Sequence, residues 1–179
     1  MSYTIEELTS IDDTIFDTLW DASFSRIESG GTMPWSKYEI RYGHALTEAE
    51  KKEILKLIFT QAIEDGGPEL NVLLFRKDGI PIRMMNFGFN ASEGIVHGYY
   101  QILGPDALGS RAWLFDPELL QLVRDRFISE YGATAHTGKV ITGSAIHNYY
   151  VTRDVGGVLA NMTSVDNDDG ISTLTFTYS

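Results

Sequence analysis

The sequence contains no cysteine. Without thiols the chain cannot build a disulfide framework, use a thiolate nucleophile or form a cysteine-based zinc site. The four histidines do not fall as a pair on one helical face, so no metal site is predicted. The HExxH and GxSxG patterns are also missing. These absences exclude thiol chemistry and the metal-dependent or serine hydrolases that carry those patterns.

Basic residues are few, with 14 Lys and Arg against 25 Asp and Glu, for a formal net charge of −11. Nucleic acids and anionic lipids both need a basic footprint, so neither nucleic acid nor a membrane is predicted as a partner. No apolar run approaches the roughly 20 residues of a membrane span. The first residues also lack a basic region followed by an apolar core. Together these features predict a cytoplasmic protein.

Proline is scarce, at five residues, whereas 43% of the 179 residues are hydrophobic and 12% are aromatic. This composition is typical of a folded chain rather than a disordered one. The length suits one domain that buries roughly 70% of the surface exposed by its unfolded form. We therefore expect residues 1–179 to form a single domain.

Apolar periodicity, capping residues and turn residues divide the chain into strands and helices. Thr47-Glu-Ala-Glu50 is a capping-box pattern that begins one helix. Asp116 and Pro117 begin another helix, which Gly132 ends. The predicted order is a strand over Tyr3–Leu8, a helix from Asp12 to about Ser29, a helix after Thr47, strands over Leu70–Arg76, Ile80–Phe89 and Ile95–Leu103, a helix from Asp116, a strand over Thr134–Thr142, a short helix over Ala145–Thr152, and strands over Val155–Val165 and Ile171–Tyr178.

These elements predict an α/β fold of the α+β kind. Asp78-Gly79 predicts a hairpin turn, because both residues tolerate a positive φ. Strands that are apolar on nearly every residue indicate a sheet covered on both faces. We expect a central mixed, mostly antiparallel sheet of six to seven strands with helices on both faces. Thr32–Ala45 shows no period, and this aromatic and basic segment either covers a core edge or forms one wall of a ligand cleft.

The stretch from Gly94 to Tyr150 is the strongest candidate for a functional site. Its apolar strand, Ile95–Leu103, leads into a glycine-bearing loop, Gly104–Arg111, ahead of the helix that begins after Asp116. A strand, a glycine loop and a helix in this order present backbone N–H groups and the positive end of a helix dipole at one place. Such a place suits a phosphate or a pyrophosphate.

The order of the elements, the glycine loop after the fourth strand and the segment Ser144-Ala-Ile-His-Asn-Tyr-Tyr150 after the fifth strand resemble the GNAT family of acyl-CoA-dependent N-acyltransferases. The resemblance in order covers nearly the whole chain. It implies a GNAT-like fold, acetyl-CoA or another acyl-CoA as co-substrate, and transfer of the acyl group to a small amine or a peptide amino terminus. The sequence leaves open whether the chain is a monomer or a homodimer.

In that family the loop after the fourth strand has the form Gln or Arg, two residues, Gly, one residue, Gly or Ala, and its N–H groups hold the pyrophosphate of acyl-CoA. Here the pattern begins at Gln101, but its last small residue falls one place late, at Ala107, behind an intruding Asp106. The loop is also longer than the family's, and the Ser110 N–H and the Arg111 guanidinium both suit phosphate oxygens. The cofactor-binding residues that the resemblance implies are Gln101, Ile102, Leu103, Gly104, Ala107, Gly109, Ser110 and Arg111.

The family also uses a tyrosine in the short helix after the fifth strand, which protonates the departing thiolate of CoA. Tyr149 and Tyr150 are equal candidates, because the glycine that the family has four residues later is absent. A general base must take a proton from the amine, and His97 is ranked first for this role, ahead of Glu93 and His147. The displaced loop also leaves open a GNAT-like scaffold that binds a ligand or a partner without catalysis.

Overall fold

The computed structural model describes residues 2–30, 35–66, 71–103 and 116–179. In this part of the chain, seven strands form one sheet in the order β1-β2-β3-β4-β5-β7-β6. The strands are β1 Tyr3–Glu7, β2 Asn71–Lys77, β3 Ile80–Asn90, β4 Ile95–Leu103, β5 Ala135–Ile141, β6 Ala160–Asp166 and β7 Ile171–Tyr178. All neighbouring strands are antiparallel except β4 and β5, which run parallel. The predicted mixed, mostly antiparallel sheet of six to seven strands is confirmed.

The described residues also form five helices. They are α1 Asp13–Gly30, α2 Trp35–Tyr42, α3 Glu48–Asp65, α4 Pro117–Tyr131 and α5 Ala145–Thr152. The capping box of α3 is complete, because the Glu50 N–H donates to the Thr47 hydroxyl and the Thr47 N–H donates to the Glu50 carboxylate. Gly132 ends α4 in the left-handed conformation, with φ of 64°. The capping residues read from the sequence therefore correctly predict the start of α3 and the end of α4.

Two elements differ from the sequence prediction. α2 occupies part of the segment in which no regular structure was predicted. This helix has only 8 residues and none of them is buried, so its pattern is shorter than the window of roughly 11–18 residues over which apolar periodicity marks a helix. The ring centroids of Trp35 and Tyr38 lie 6.4 Å apart. β6 begins at Ala160 rather than Val155, because the chain first turns at Gly156, whose carbonyl accepts the Leu159 N–H at 3.0 Å.

A separate hydrophobic cluster covers each face of the sheet. The cluster on the α1–α3 face is buried among Phe16, Leu19, Trp20, Leu55, Phe59, Ala62, Val72, Leu74, Met84 and Ile102. The cluster on the opposite face, beneath α4, includes Leu73, Phe75, Ile82, Phe87, Val96, Leu119 and Phe127. A third cluster seats α5 on β7 and contacts Leu120 of α4, so α4 and α5 share this second face, named here the α4–α5 face. Burying each large apolar side chain contributes roughly 1.5–3 kcal/mol relative to leaving it exposed, so these clusters hold the helices on the sheet.

The β2–β3 hairpin turns at the two residues predicted from the sequence. Asp78 has φ of 51° and Gly79 has φ of 82°. Two consecutive positive φ values match the right-handed twist of the flanking strands, which explains why Asp-Gly is favoured there. In the described part of the chain, no helix is both long and apolar enough to cross a membrane.

Candidate functional site

β4 and β5 diverge soon after they begin to pair. Among the described residues, their parallel ladder contains only three pairs, which are Ile95 with Ala135, Val96 with His136, and His97 with Thr137. Both strands continue past the last pair, β4 to Leu103 and β5 to Ile141. Beyond that pair the two facing backbone edges border a gap in the sheet. Main-chain N–H and C=O groups along such an edge are strong binding groups for a ligand.

Glycines lie on both sides of the gap, directly after the last paired residues. A Cβ at Gly98 of β4 would lie 3.0 Å from the carbonyl oxygen of Thr137 and 3.2 Å from Cε of Met85. A Cβ at Gly138 of β5 would have no described atom within 4 Å. The close approach of β4 and β5 at the start of the gap therefore requires glycine at position 98 only.

β4 carries a β-bulge beside the gap. The register between β3 and β4 shifts between Met85 and Phe87. Two residues of β4, Tyr99 and Tyr100, consequently lie opposite the single residue Asn86 of β3. Such an extra residue bends its strand and increases the local twist. The bulge therefore helps to turn β4 away from β5.

The bulge also changes which face of the sheet the side chains of β4 point to. Val96 and Ile102 are six residues apart, a spacing that puts two side chains on the same face of a regular strand. Instead, Val96 packs in the cluster beneath α4, and Ile102 packs in the cluster on the α1–α3 face. Tyr100 packs on the α1–α3 face as well. Beyond the bulge, each side chain of β4 therefore points to the face of the sheet opposite the one that regular alternation predicts.

The two tyrosines of α5 have different surroundings. Tyr150 is 8% exposed, and its ring lies edge-on to Phe176 with 5.9 Å between centroids. Burial raises the pKa of Tyr150 to about 12, against an opposing effect of the Arg83 charge. Tyr149 is less buried, with the Arg153 guanidinium 4.6 Å from the centre of its ring. The Tyr150 phenol therefore lies inside the protein and keeps its proton at neutral pH.

Tyr150 packs in one cluster with Val140, which lies on β5 beyond its last pair with β4. Arg83 lies on β3, and burial lowers the pKa of its guanidinium to about 10. The guanidinium lies 5.4 Å from the centre of the Phe75 ring, on the α4–α5 face. Its charge acts both on Tyr150 and on His136 of β5. Tyr150 and His136 therefore both lie within electrostatic reach of the same buried charge.

His136 makes the protein sensitive to acid. Burial, with a smaller contribution from Arg83, lowers the pKa of His136 from its ordinary 6.5 to about 3. The neutral ring accepts the Tyr178 O–H at 2.7 Å and stacks on Phe176. Below about pH 6.5 the unfolded chain binds a proton that the folded protein does not, so stability falls by about 1.4 kcal/mol per pH unit as pH decreases toward the folded pKa.

We predict that His136→Gln, which does not titrate and still offers an oxygen to Tyr178, weakens this acid sensitivity. The melting temperature of the wild type should fall more between pH 7 and pH 5 than that of the variant, as measured by circular dichroism. His44→Gln is the control, because His44 is exposed. Equal falls for the wild type and His136→Gln would contradict the burial of an uncharged imidazole.

His97 occupies the last paired position of β4, and both of its ring nitrogens are engaged. Nε2 lies 2.8 Å from the Glu93 carboxylate, and Nδ1 lies 2.9 Å from the Thr137 hydroxyl. The carboxylate can only accept, so Nε2 carries the proton and Nδ1 accepts from Thr137. A proton that reaches His97 would therefore enter at Nδ1, where the Thr137 hydroxyl can turn from donor to acceptor. The Glu93 side chain is 50% exposed and is the end of this chain that solvent reaches.

His147, the remaining candidate base from the sequence, ties α5 to the sheet. Its Nδ1 accepts the Gly143 N–H at 2.9 Å, and its Nε2 lies 2.9 Å from the Ser164 hydroxyl of β6. The side chain is 7% exposed. These contacts fix the start of the helix that carries Tyr149 and Tyr150. Within the described ranges, no group of three or more His, Asp or Glu side chains could hold a metal ion.

The predicted cofactor-binding residues lie only partly in the described chain. Gln101 and Ile102 belong to β4, where the side chain of Gln101 is exposed and that of Ile102 is fully buried, so Ile102 could contact a ligand only through its backbone. Leu103 is the last residue of β4. The other predicted members, Gly104, Ala107, Gly109, Ser110 and Arg111, lie outside the described residues.

The amino terminus of α4 is occupied by its own cap. Asp116 accepts the Glu118 N–H at 2.9 Å and the Tyr3 hydroxyl at 2.6 Å. Hydrogen bonding and charge at Asp116 also contribute, after burial, to the raised pKa of Tyr3. A carboxylate at this end repels an anion, and the phosphate site predicted on the glycine loop stays a prediction, because residues 104–115 lie outside the described part of the chain.

The sheet and its helices form an α+β fold that solved structures share. No protein-family model and no curated protein matches the sequence. The PaiA N-acetyltransferase of Thermoplasma acidophilum, solved with coenzyme A, superposes with a TM-score of 0.59 at 15% identity, covering 99% of this chain and 100% of that chain. The N-acetyltransferase PseH of Campylobacter jejuni gives 0.58 at 10% identity, covering 99% of both chains.

RimL, a ribosomal L7/L12 alpha-N-protein acetyltransferase solved with coenzyme A, is similar to the same extent. Its TM-score is 0.57 at 10% identity, over 97% of this chain and 92% of that chain. These three structures are GNAT N-acetyltransferases. The chain therefore has the GNAT fold, as the order of its elements predicted.

Proposed function

We propose that the protein is an acyl-CoA-dependent N-acyltransferase that transfers an acetyl or related acyl group to a small amine or an amino terminus. The observation that carries this proposal is the gap between β4 and β5, together with the buried Tyr150, whose cluster includes Val140 on the β5 side of that gap. Structures of the same fold support it, since PaiA and RimL were solved with coenzyme A and RimL is named as an alpha-N-protein acetyltransferase.

Each step of the transfer can be matched to residues near the gap. Acyl-CoA, when bound, supplies an activated acyl group as a thioester. N–H groups on the β4 edge beyond Gly98 would hold the carbonyl oxygen. Tyr150, with Tyr149 as the second candidate, would donate a proton to the departing sulfur. His97 would receive the proton of the amine at Nδ1, with the Thr137 hydroxyl turning to accept from it.

The acceptor amine is proposed to approach from the α1–α3 face. Tyr99 is 43% exposed, and Tyr100 packs on this face with Trp35 of α2. Burial, with a smaller contribution from Tyr38, raises the pKa of Tyr100, so Tyr38 also lies nearby. These contacts support the interpretation of the α2 segment as one wall of a cleft. The net charge of −11 would favour a cationic acceptor through electrostatic steering.

Titration calorimetry with acetyl-CoA tests the proposal, and Gly109→Val tests the loop. We expect the wild type to bind acetyl-CoA and Gly109→Val to lose binding, because a Cβ prevents close approach of the backbone to a phosphate. Arg111→Ala should weaken binding by roughly 10- to 100-fold, the effect of one charged hydrogen bond.

Gly170→Val is the matched control, since Gly170 has φ of 79° in the β6–β7 turn and should show the folding cost alone. Absence of wild-type binding at millimolar acetyl-CoA would remove the acyltransferase proposal. A folded Gly109→Val protein with full affinity would place the phosphates elsewhere. Binding without acyl transfer to any amine would favour a non-catalytic scaffold.

A further inference from the structure

Asn86 is a buried polar residue at the β4 bulge. It lies on β3, is 4% exposed, and stands opposite both Tyr99 and Tyr100. Its Oδ1 accepts the Tyr100 N–H at 2.8 Å. In a regular antiparallel ladder, an N–H on this edge would donate to a main-chain carbonyl of the neighbouring strand. The amide oxygen of Asn86 thus replaces a backbone acceptor where the register shifts.

This bond favours the bulged strand over the regular one. The extra residue of a bulge is left out of the ladder, and a buried N–H without an acceptor is strongly unfavourable. Asn86 supplies the acceptor that the bulged register needs. In a regular register the backbone of β3 would supply it instead, and the side chain would be superfluous. Asn86 therefore stabilises one register of β4 selectively.

The register of β4 determines which of its side chains and backbone groups lie along the gap. With the bulge, Ile102 is fully buried on the α1–α3 face, and its neighbour Gln101 points the opposite way. A slip of one residue would exchange these two side chains. The same slip would move the backbone N–H groups proposed to hold the thioester carbonyl. A residue that stabilises the bulge therefore also fixes the geometry of β4 along the gap.

We propose that Asn86 is a positioning residue for acyl transfer, because its amide oxygen holds the β4 bulge and thereby fixes the β4 edge along the gap. This inference rests on the proposed function. Asn86 is not placed in contact with the acyl group, and it acts through the backbone of Tyr100.

Two variants of Asn86 separate this role from simple packing. Asn86→Leu has a similar size but lacks the acceptor, and Asn86→Asp keeps an oxygen for the Tyr100 N–H. Amide hydrogen exchange measured by NMR should be roughly tenfold or more faster at Tyr100 in Asn86→Leu and within about threefold of the wild type in Asn86→Asp. This readout does not depend on activity.

Steady-state kinetics with acetyl-CoA and an amine supply the second readout. We expect Asn86→Leu to lower kcat by roughly 10- to 100-fold with a change in KM for acetyl-CoA below about threefold, since misplacement affects the transition state most. Asn86→Asp should restore most of kcat. Leu74→Ala is the control for lost stability, because Leu74 is buried on β2 and pairs with Met84 rather than with Asn86.

The outcomes distinguish the possible failures. Unchanged exchange at Tyr100 in Asn86→Leu, or an equal loss of kcat in Leu74→Ala, would overturn the positioning role in an active enzyme. A wild type that transfers no acyl group to any amine would overturn the proposed function, and the positioning role with it. Faster exchange in Asn86→Leu together with a loss of kcat that Asn86→Asp restores would establish the role.

Discussion

Tyr150→Phe should lower kcat for acyl transfer by about 100-fold, within the range for loss of a general acid, and change KM for acetyl-CoA by less than about threefold. Burial raises the pKa of Tyr150 to about 12, so the phenol is protonated across the working pH range. Phe retains the ring that packs against Leu174 and Phe176, so the fold should lose little. The measurement is release of CoA thiol from acetyl-CoA at saturating amine.

Tyr149→Phe is the matched control for this experiment. Tyr149 lies beside Tyr150 on α5 but is less buried and stacks with Arg153. We expect its kcat to stay within about threefold of the wild type, because Tyr149 is less buried than Tyr150 and its ring is engaged by Arg153. The reverse pattern would assign the proton donor to Tyr149. Full activity in both variants would mean that the thiolate leaves without a tyrosine.

The sequence was sufficient to predict the structure wherever a few neighbouring residues determine it. The capping box at Thr47, the N-cap at Asp116 and the Asp78-Gly79 turn are local hydrogen-bond and φ requirements, and each is met in the structure. The order of elements built from such signals led to the GNAT fold. α2 was missed because its 8 residues are fewer than the roughly 11–18 over which apolar periodicity can be read.

The geometry of the site depends on contacts between distant residues. Regular alternation predicts that Val96 and Ile102 share a face, and only the bulge opposite Asn86 reverses this. Adjacent residues on a helix point about 100° apart, so choosing between Tyr149 and Tyr150 requires knowing which side of α5 meets β7. The hydrogen bond from Thr137 to His97 likewise exists only because β4 and β5 pair.

Gly98→Ala should destabilise the protein and abolish most acyl transfer, although alanine is ordinarily preferred over glycine in a strand. The added Cβ would lie 3.0 Å from the Thr137 carbonyl oxygen, which belongs to the ladder and cannot move alone. The nearby Met85 Cε, at 3.2 Å, ends a flexible side chain and can yield. Overpacking against fixed atoms costs typically about 1–3 kcal/mol, more than the roughly 0.5–1 kcal/mol gained by replacing glycine.

Gly138→Ala should have the opposite effect on thermal stability and is therefore the matched control for Gly98→Ala. At Gly138 a Cβ meets no described atom within 4 Å, and the residue has no positive φ, so only the gain from replacing glycine remains. Thermal melting should therefore decrease by several degrees in Gly98→Ala, roughly 2–4 °C per kcal/mol for a chain of this size, and increase slightly in Gly138→Ala. Separation of β4 from β5 at the His97–Thr137 pair should also lower kcat by roughly tenfold in Gly98→Ala, because a shift of a few tenths of an ångström misplaces the reacting groups. Equal melting temperatures in the two variants would show that β4 and β5 do not approach as closely at the start of the gap as this argument requires.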